Sequence, residues 1–151
     1  MTQVNEILKH SINAIEYRFI KATAGSKDNF GDYKISDHTR SPNEIINHMY
    51  DLATKTKTMI KEGHFNCPVP ESLKFEDEVK RFLSAIKELE AVIANSEISI
   101  EISKKLLQGP ILDMATHIGQ IAMLNGLNGN KITKESYFAA DLDSPIRHLR
   151  G

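Results

Sequence analysis

The segment GPILDMATHIGQIAM (109–123) sets a carboxylate and an imidazole four residues apart in an otherwise apolar run. On a helix, Asp113 and His117 are i and i+4, with Cβ atoms about 6 Å apart on one face. That spacing lets both side chains converge on one cation, as paired histidines do in helical zinc motifs. Turning each residue by about 100° gathers Asp113, Thr116, His117 and Gln120 into an arc of roughly 100°. Apolar residues, alanine and glycine fill nearly all the rest. Two environments compete for the arc. Most polar stripes face water, but solvated helical faces are usually rich in Lys, Glu and Arg. Between Pro110 and Asn128 the only formally charged residue is Asp113, whereas Lys74 to Glu90 holds nine. Composition therefore places the arc against an interior cleft. A carboxylate there must be paired, hydrogen-bonded or bound to metal, because burying it alone costs several kcal/mol.

A D-x-x-x-H pair occurs by chance in many helices, so a third donor has to come from elsewhere. His48 is the natural candidate, three residues after Ile45 and four before Leu52 on an apolar stripe. A lone histidine in such a place is more often a hydrogen-bonded core or boundary residue. His10, among Glu6, Asn13 and Tyr17, reads as surface, and His148 lies in the tail. His38 and His64 fall on long loops and stay open as lid residues or fourth ligands. Gln120 suits orienting a ligand through its amide; a hydrogen bond between helices explains it equally well. Arg40 and Tyr50 could contact an anionic substrate, although both residue types are ordinary at their positions. Cys67, in NCPVP, has no neighbouring base to activate it.

Four helical patterns must position these groups. The first covers roughly residues 3–24, with Val4, Leu8, Ile12, Ile15, Phe19 and Ala22 on one face and Gly25 as its stop. The second opens on SPNE (41–44): Ser41 as N-cap, Pro42 at the first helical position and Glu44 three residues after the cap. Its face is Ile45, Met49, Leu52, Thr56 and Met59, and it ends at Gly63. The third starts near Ser72, carries Glu76, Asp77 and Glu78 at its positive end, and buries Phe75, Val79, Phe82, Ile86, Leu89 and Ile93. EISIEIS (97–103) alternates like a strand but has no partner, so it reads as an extended connector. Gly109-Pro110 then breaks the chain and starts the fourth helix, which runs to about Asn128. TKESYFAADL (133–142) reads as a short helix on the bundle end, ahead of a basic terminus. Four amphipathic helices without a sheet make an all-α, four-helix bundle, one domain over residues 1–151. The connections at 25–41 and 62–72 are longer than a simple up-and-down bundle needs. Phe30, Tyr33, Ile35, Phe65 and Val69 give those loops something to bury.

The totals exclude several functions. A chain of 151 residues supports one domain with a real core. Its net charge is −1 with no like-charge block, so nothing favours nucleic acid or an anionic membrane. One cysteine allows no internal disulfide, and with the polar start Met1–Lys9 it points to a cytoplasmic protein without a signal peptide. No apolar run approaches the roughly 20 residues that span a bilayer.

Two segments together, TRSPNEIINHMYDL (39–52) and GPILDMATHIGQIAMLNGLNG (109–129), resemble the DinB/YfiT-like metalloenzymes, a damage-inducible family of four-helix bundles. ESYFAADL (135–142) looks like the tail of one branch of that family. The resemblance covers about residues 39–142, and the first helix fits by pattern only. It implies an up-down-down-up bundle and a divalent metal held by three residues, usually histidines: one from the second helix and two, four residues apart, from the fourth. By position these are His48, Asp113 and His117, with Asp113 standing where histidine is common. Two histidines and a carboxylate make a reasonable facial site for zinc or nickel, or for manganese or iron, with open positions. The resemblance further implies a stress-response enzyme, a thiol-dependent transferase or a hydrolase. Its partners would be a small-molecule substrate, a low-molecular-weight thiol and, as a further option, a second copy in a homodimer. The competing expectation is a non-catalytic bundle that keeps the fold with a degenerate metal site and binds a small molecule or partner. The Asp113 departure favours it.

Overall fold

Helix α2, Pro42–Glu62, starts where its capping residues put it. Ser41 Oγ accepts from the Glu44 N–H at 3.2 Å, and the Glu44 carboxylate accepts from the Ser41 N–H at 3.2 Å. Two of the backbone donors that every helix start leaves unpaired are thereby satisfied. Gly63, at φ +79°, ends α2 in a left-handed turn that only glycine adopts without strain. Helix α1, Gln3–Thr23, is capped by Thr2, which accepts from the Asn5 N–H. Helix α3, Phe75–Ala94, starts slightly later than Ser72 suggests; it has no side-chain cap but three acids in its first turn. The structure, a computed structural model, describes residues 1–143. Its elements are all helical, with no strand among the described residues; His148 and the basic terminus lie outside them.

Two expectations are corrected between α3 and the last helix. Residues 97–103 are not an extended connector: helix α4, Ile100–Leu106, begins there, with Ser99 Oγ accepting from the Ile102 N–H at 3.2 Å. Ile98, Ile102 and Leu106, spaced by four, turn inward, so the apparent alternation was in part a helical face. Gly109-Pro110 does not break the chain either. A π turn, Leu107–Ile111, carries the helix through Pro110 into α5, Leu112–Leu127. Proline supplies no N–H and its ring collides with the carbonyl four residues back; widening the turn removes that collision.

The tail is corrected as well. Residues 133–142 form only one 3-10 turn, Tyr137–Ala139. Side chains rather than an apolar face hold this stretch. Tyr17 Oη and Lys21 Nζ donate to Glu135 at 2.7 and 2.6 Å, and the Arg18 guanidinium lies 3.9 Å from the Tyr137 ring centre.

Helix α1 packs on α3 and α5, and so does α2. Phe19 and Phe82 meet at 4.6 Å between ring centres, amid buried Ile12, Ile46, Met49, Ile86 and Met114. The first long connection closes on this core through Phe30, which is buried edge-on against Phe75 at 5.6 Å. Gly31 makes that approach possible: a Cβ there would meet Asn43 at 2.6 Å and Phe75 at 2.8 Å. The other loop residues do less. Tyr33 is half-buried, while Ile35, Phe65 and Val69 are exposed. No helix among the described residues is long and apolar enough to cross a membrane.

Candidate metal centre

The capping box sets the phase of α2. Ile45 and Met49 face the core, and His48 sits half-buried on the flank toward α5. On α5, Met114, Ile118, Ile121 and Leu124 are buried, which leaves His117 half-buried at the edge of the same seam. The two imidazoles meet there edge to face, at 4.9 Å between ring centres and 87° between planes. Two nitrogens on one zinc, each about 2.0–2.1 Å from the ion, lie about 3.3 Å apart in tetrahedral geometry, a separation open to rings this close. The His117 Nδ1 is 2.9 Å from Gln120 Oε1.

Electrostatics favour the neutral, ligating form of His48. Burial holds its pKa below the ordinary imidazole value, the positive charge of Arg40 adds to this, and His117 adds a little more. Asp51 and Asp113 pull the other way without overcoming burial.

The expected interior cleft around Asp113 is not there. Asp113, Thr116 and Gln120 are exposed, on the side of α5 opposite its buried residues. Leu112, Met123 and Leu127 share that side, at 52%, 59% and 56% exposure. The face is poor in charge yet solvent-facing, so the burial penalty does not force Asp113 to take a partner. The structure thus brings His48 and His117 together and leaves Asp113 close enough to act on His48 by charge alone. Among the described residues, no three or more of His, Cys, Asp and Glu are grouped to hold a metal ion. The two imidazoles fit a metal; a preformed three-residue set does not.

One cleft is lined by His48, and a second lies beside the pair, reaching it through Gln120, the partner of His117. The first, of about 490 Å³, is lined by Arg40, Asn47, His48, Asp51 and Leu73. The second, of about 390 Å³, is lined by Ile35, His38, Arg40, Gln120 and Met123. Arg40 belongs to both, and among the described residues it makes no ion pair. Asp51 is the residue that the sequence reading missed. It follows His48 by three on α2, and that H-x-x-D spacing was the available signal; here it pairs with Lys55 at 2.7 Å. His64 and Cys67 line neither cleft: His64 sits 3.7 Å from Glu62, and Cys67 Sγ donates to Thr58. His10 is exposed. Tyr50 lies under the Arg81 guanidinium, 4.3 Å from its ring centre, away from both clefts.

Comparison with known proteins found no family model, no curated protein and no solved structure that matches this chain.

Proposed function

We propose that this protein is a divalent-metal-dependent enzyme acting on a small molecule, of the DinB/YfiT-like kind that its two motifs resemble. The observation that carries the reading is the edge-to-face meeting of His48 and His117 at 4.9 Å, from two helices far apart in sequence. The third ligand is assigned to Asp113, which shares a helix face with His117 and already acts on His48 by charge. The up-down-down-up order belongs to the same proposal. It is supported by pairs at matching heights: Asn5 with Ile93, Asn47 with Glu78, Lys57 with Glu88, and Asn125 with Ala22. These run α1 against α3, α2 along α3, and bring the ends of α1 and α5 together.

The chain's own residues would divide the work. His48 and His117 would hold zinc or nickel, or alternatively manganese or iron, and Arg40, which lines both clefts, would bind an anionic substrate group. A metal bound there would lower the pKa of a thiol or water placed beside it, as a thiol-dependent transferase or a hydrolase requires. The low-molecular-weight thiol and the cytoplasmic setting are parts of the same proposal. Elemental analysis of untagged protein tests it. The expected result is near-stoichiometric divalent metal that falls to background in His48→Ala and His117→Ala. Metal content unchanged in both variants would remove these ligands.

The exposure of Asp113 favours a second reading, a non-catalytic bundle that uses the same clefts to bind a ligand. Under it, metal-depleted protein is as stable as untreated protein. Saturable thermal stabilisation by zinc or nickel would decide against it.

A further inference from the structure

The two histidines are not equivalent. Among the described residues no hydrogen bond reaches the His48 ring, whereas His117 Nδ1 lies 2.9 Å from Gln120 Oε1. A neutral imidazole carries one N–H and one lone pair, and the partner of one nitrogen decides which atom keeps the other. We infer that Gln120 is a positioning residue: its amide oxygen accepts from Nδ1–H, fixing His117 in the tautomer whose only basic atom is Nε2.

Three observations support the assignment. The distance is that of a well-formed N–H···O bond. Gln120 follows His117 by three on α5, a spacing that puts the two side chains side by side without help from another element. The nearby hydroxyl of Thr116 donates to the Leu112 carbonyl at 3.0 Å, so its proton is not offered to a lone pair of the ring. His117 is thus the pre-set member of the pair. His48, unbraced, takes whichever tautomer the shared ligand requires. The bond belongs to the metal-free chain; its consequence for metal affinity rests on the proposed function above.

The test reads the tautomer directly. Full-length, metal-free protein with ¹⁵N-labelled histidine is recorded by two-bond ¹H–¹⁵N correlation at pH 8, about 1.5 units above an ordinary imidazole. The expected spectrum shows Nδ1 protonated at His117. Free histidine prefers the opposite form, so the pattern is diagnostic. Gln120→Leu should let His117 revert toward Nε2–H. Gln120→Glu, which keeps an acceptor oxygen, should restore Nδ1–H and keeps the question decidable if the leucine variant folds poorly. Nε2–H in the wild type, or no change in Gln120→Leu with no difference in Gln120→Glu, would overturn the inference. Zinc titration of the same samples adds a separate readout. Gln120→Leu should bind about tenfold or more weakly than wild type. A wild type with Nδ1–H that takes up no zinc would remove the metal reading and leave the tautomer assignment standing.

Discussion

Helices α3 and α5 divide charge and burial in opposite ways. Helix α3 lies in a stretch dense with charge, yet Glu78 is only 1% exposed. It is held there by Arg81 at 2.7 Å, the Leu73 N–H at 3.0 Å and the Asn47 amide at 3.3 Å. Helix α5 carries one formal charge and still turns Leu112, Met123 and Leu127 to solvent. Poverty of charge therefore does not mark a buried face, and a charge does not mark an exposed one. What decides burial is which residues fall into phase with the core stripe and whether polar groups find partners there.

That contrast can be broken by substitution. The largest effects belong to α3. Phe82→Ala should cost about 3–5 kcal/mol in urea unfolding, by loss of transfer energy and a residual cavity. Glu78→Ala should cost about 3–5 kcal/mol, because the Arg81 guanidinium loses its carboxylate in a largely buried setting. A Glu78→Ala effect below that of a surface change would sink the claim that this charge is structural. The start of α2 is intermediate: Ser41→Ala should cost about 1 kcal/mol. Its partner Glu44 gives a pH signature. The Ser41 N–H, chiefly, holds the Glu44 carboxyl below its ordinary value. The stabilisation is therefore complete above the ordinary carboxylate range, around pH 4.3, and is lost as pH falls through the lower folded value. Wild type and Glu44→Gln should differ at neutral pH and converge in acid; a constant gap would be wrong for this mechanism. The smallest effect belongs to α5. Met123→Ser should change stability by no more than about 0.5 kcal/mol, and a loss of several kcal/mol would show that this face is covered after all.

Much of this was readable beforehand, for local reasons. Ser41, Pro42 and Glu44 announce α2 because their chemistry acts within one turn. The stripes Leu8-Ile12-Ile15-Phe19 and Phe82-Ile86-Leu89-Ile93 are buried as their spacing implies. The position of Asp113 was not legible because scarcity of charge on α5 comes from exposed apolar residues, Leu112, Met123 and Leu127, as much as from buried ones. Ser99 was hidden by three isoleucines at alternating positions. The tail misled because its anchors are single contacts to α1, which no periodicity records. The π turn did leave a trace. The inward-facing series Ile102, Leu106, Ile111, Met114, Ile118 and Ile121 is spaced 4, 5, 3, 4 and 3, and the interval of five falls on Gly109-Pro110.

That single wide turn amounts to one inserted residue, and so to an angular offset of about 100° for everything downstream. An uninterrupted helix would shift each later slot by one. Thr116 would then stand where His117 now faces His48. Asp113, His117 and Gln120 would occupy the places of Met114, Ile118 and Ile121 inside the bundle. The proline detour works like a clutch: it keeps the greasy side of α5 meshed with its neighbours and dials the imidazole to the seam.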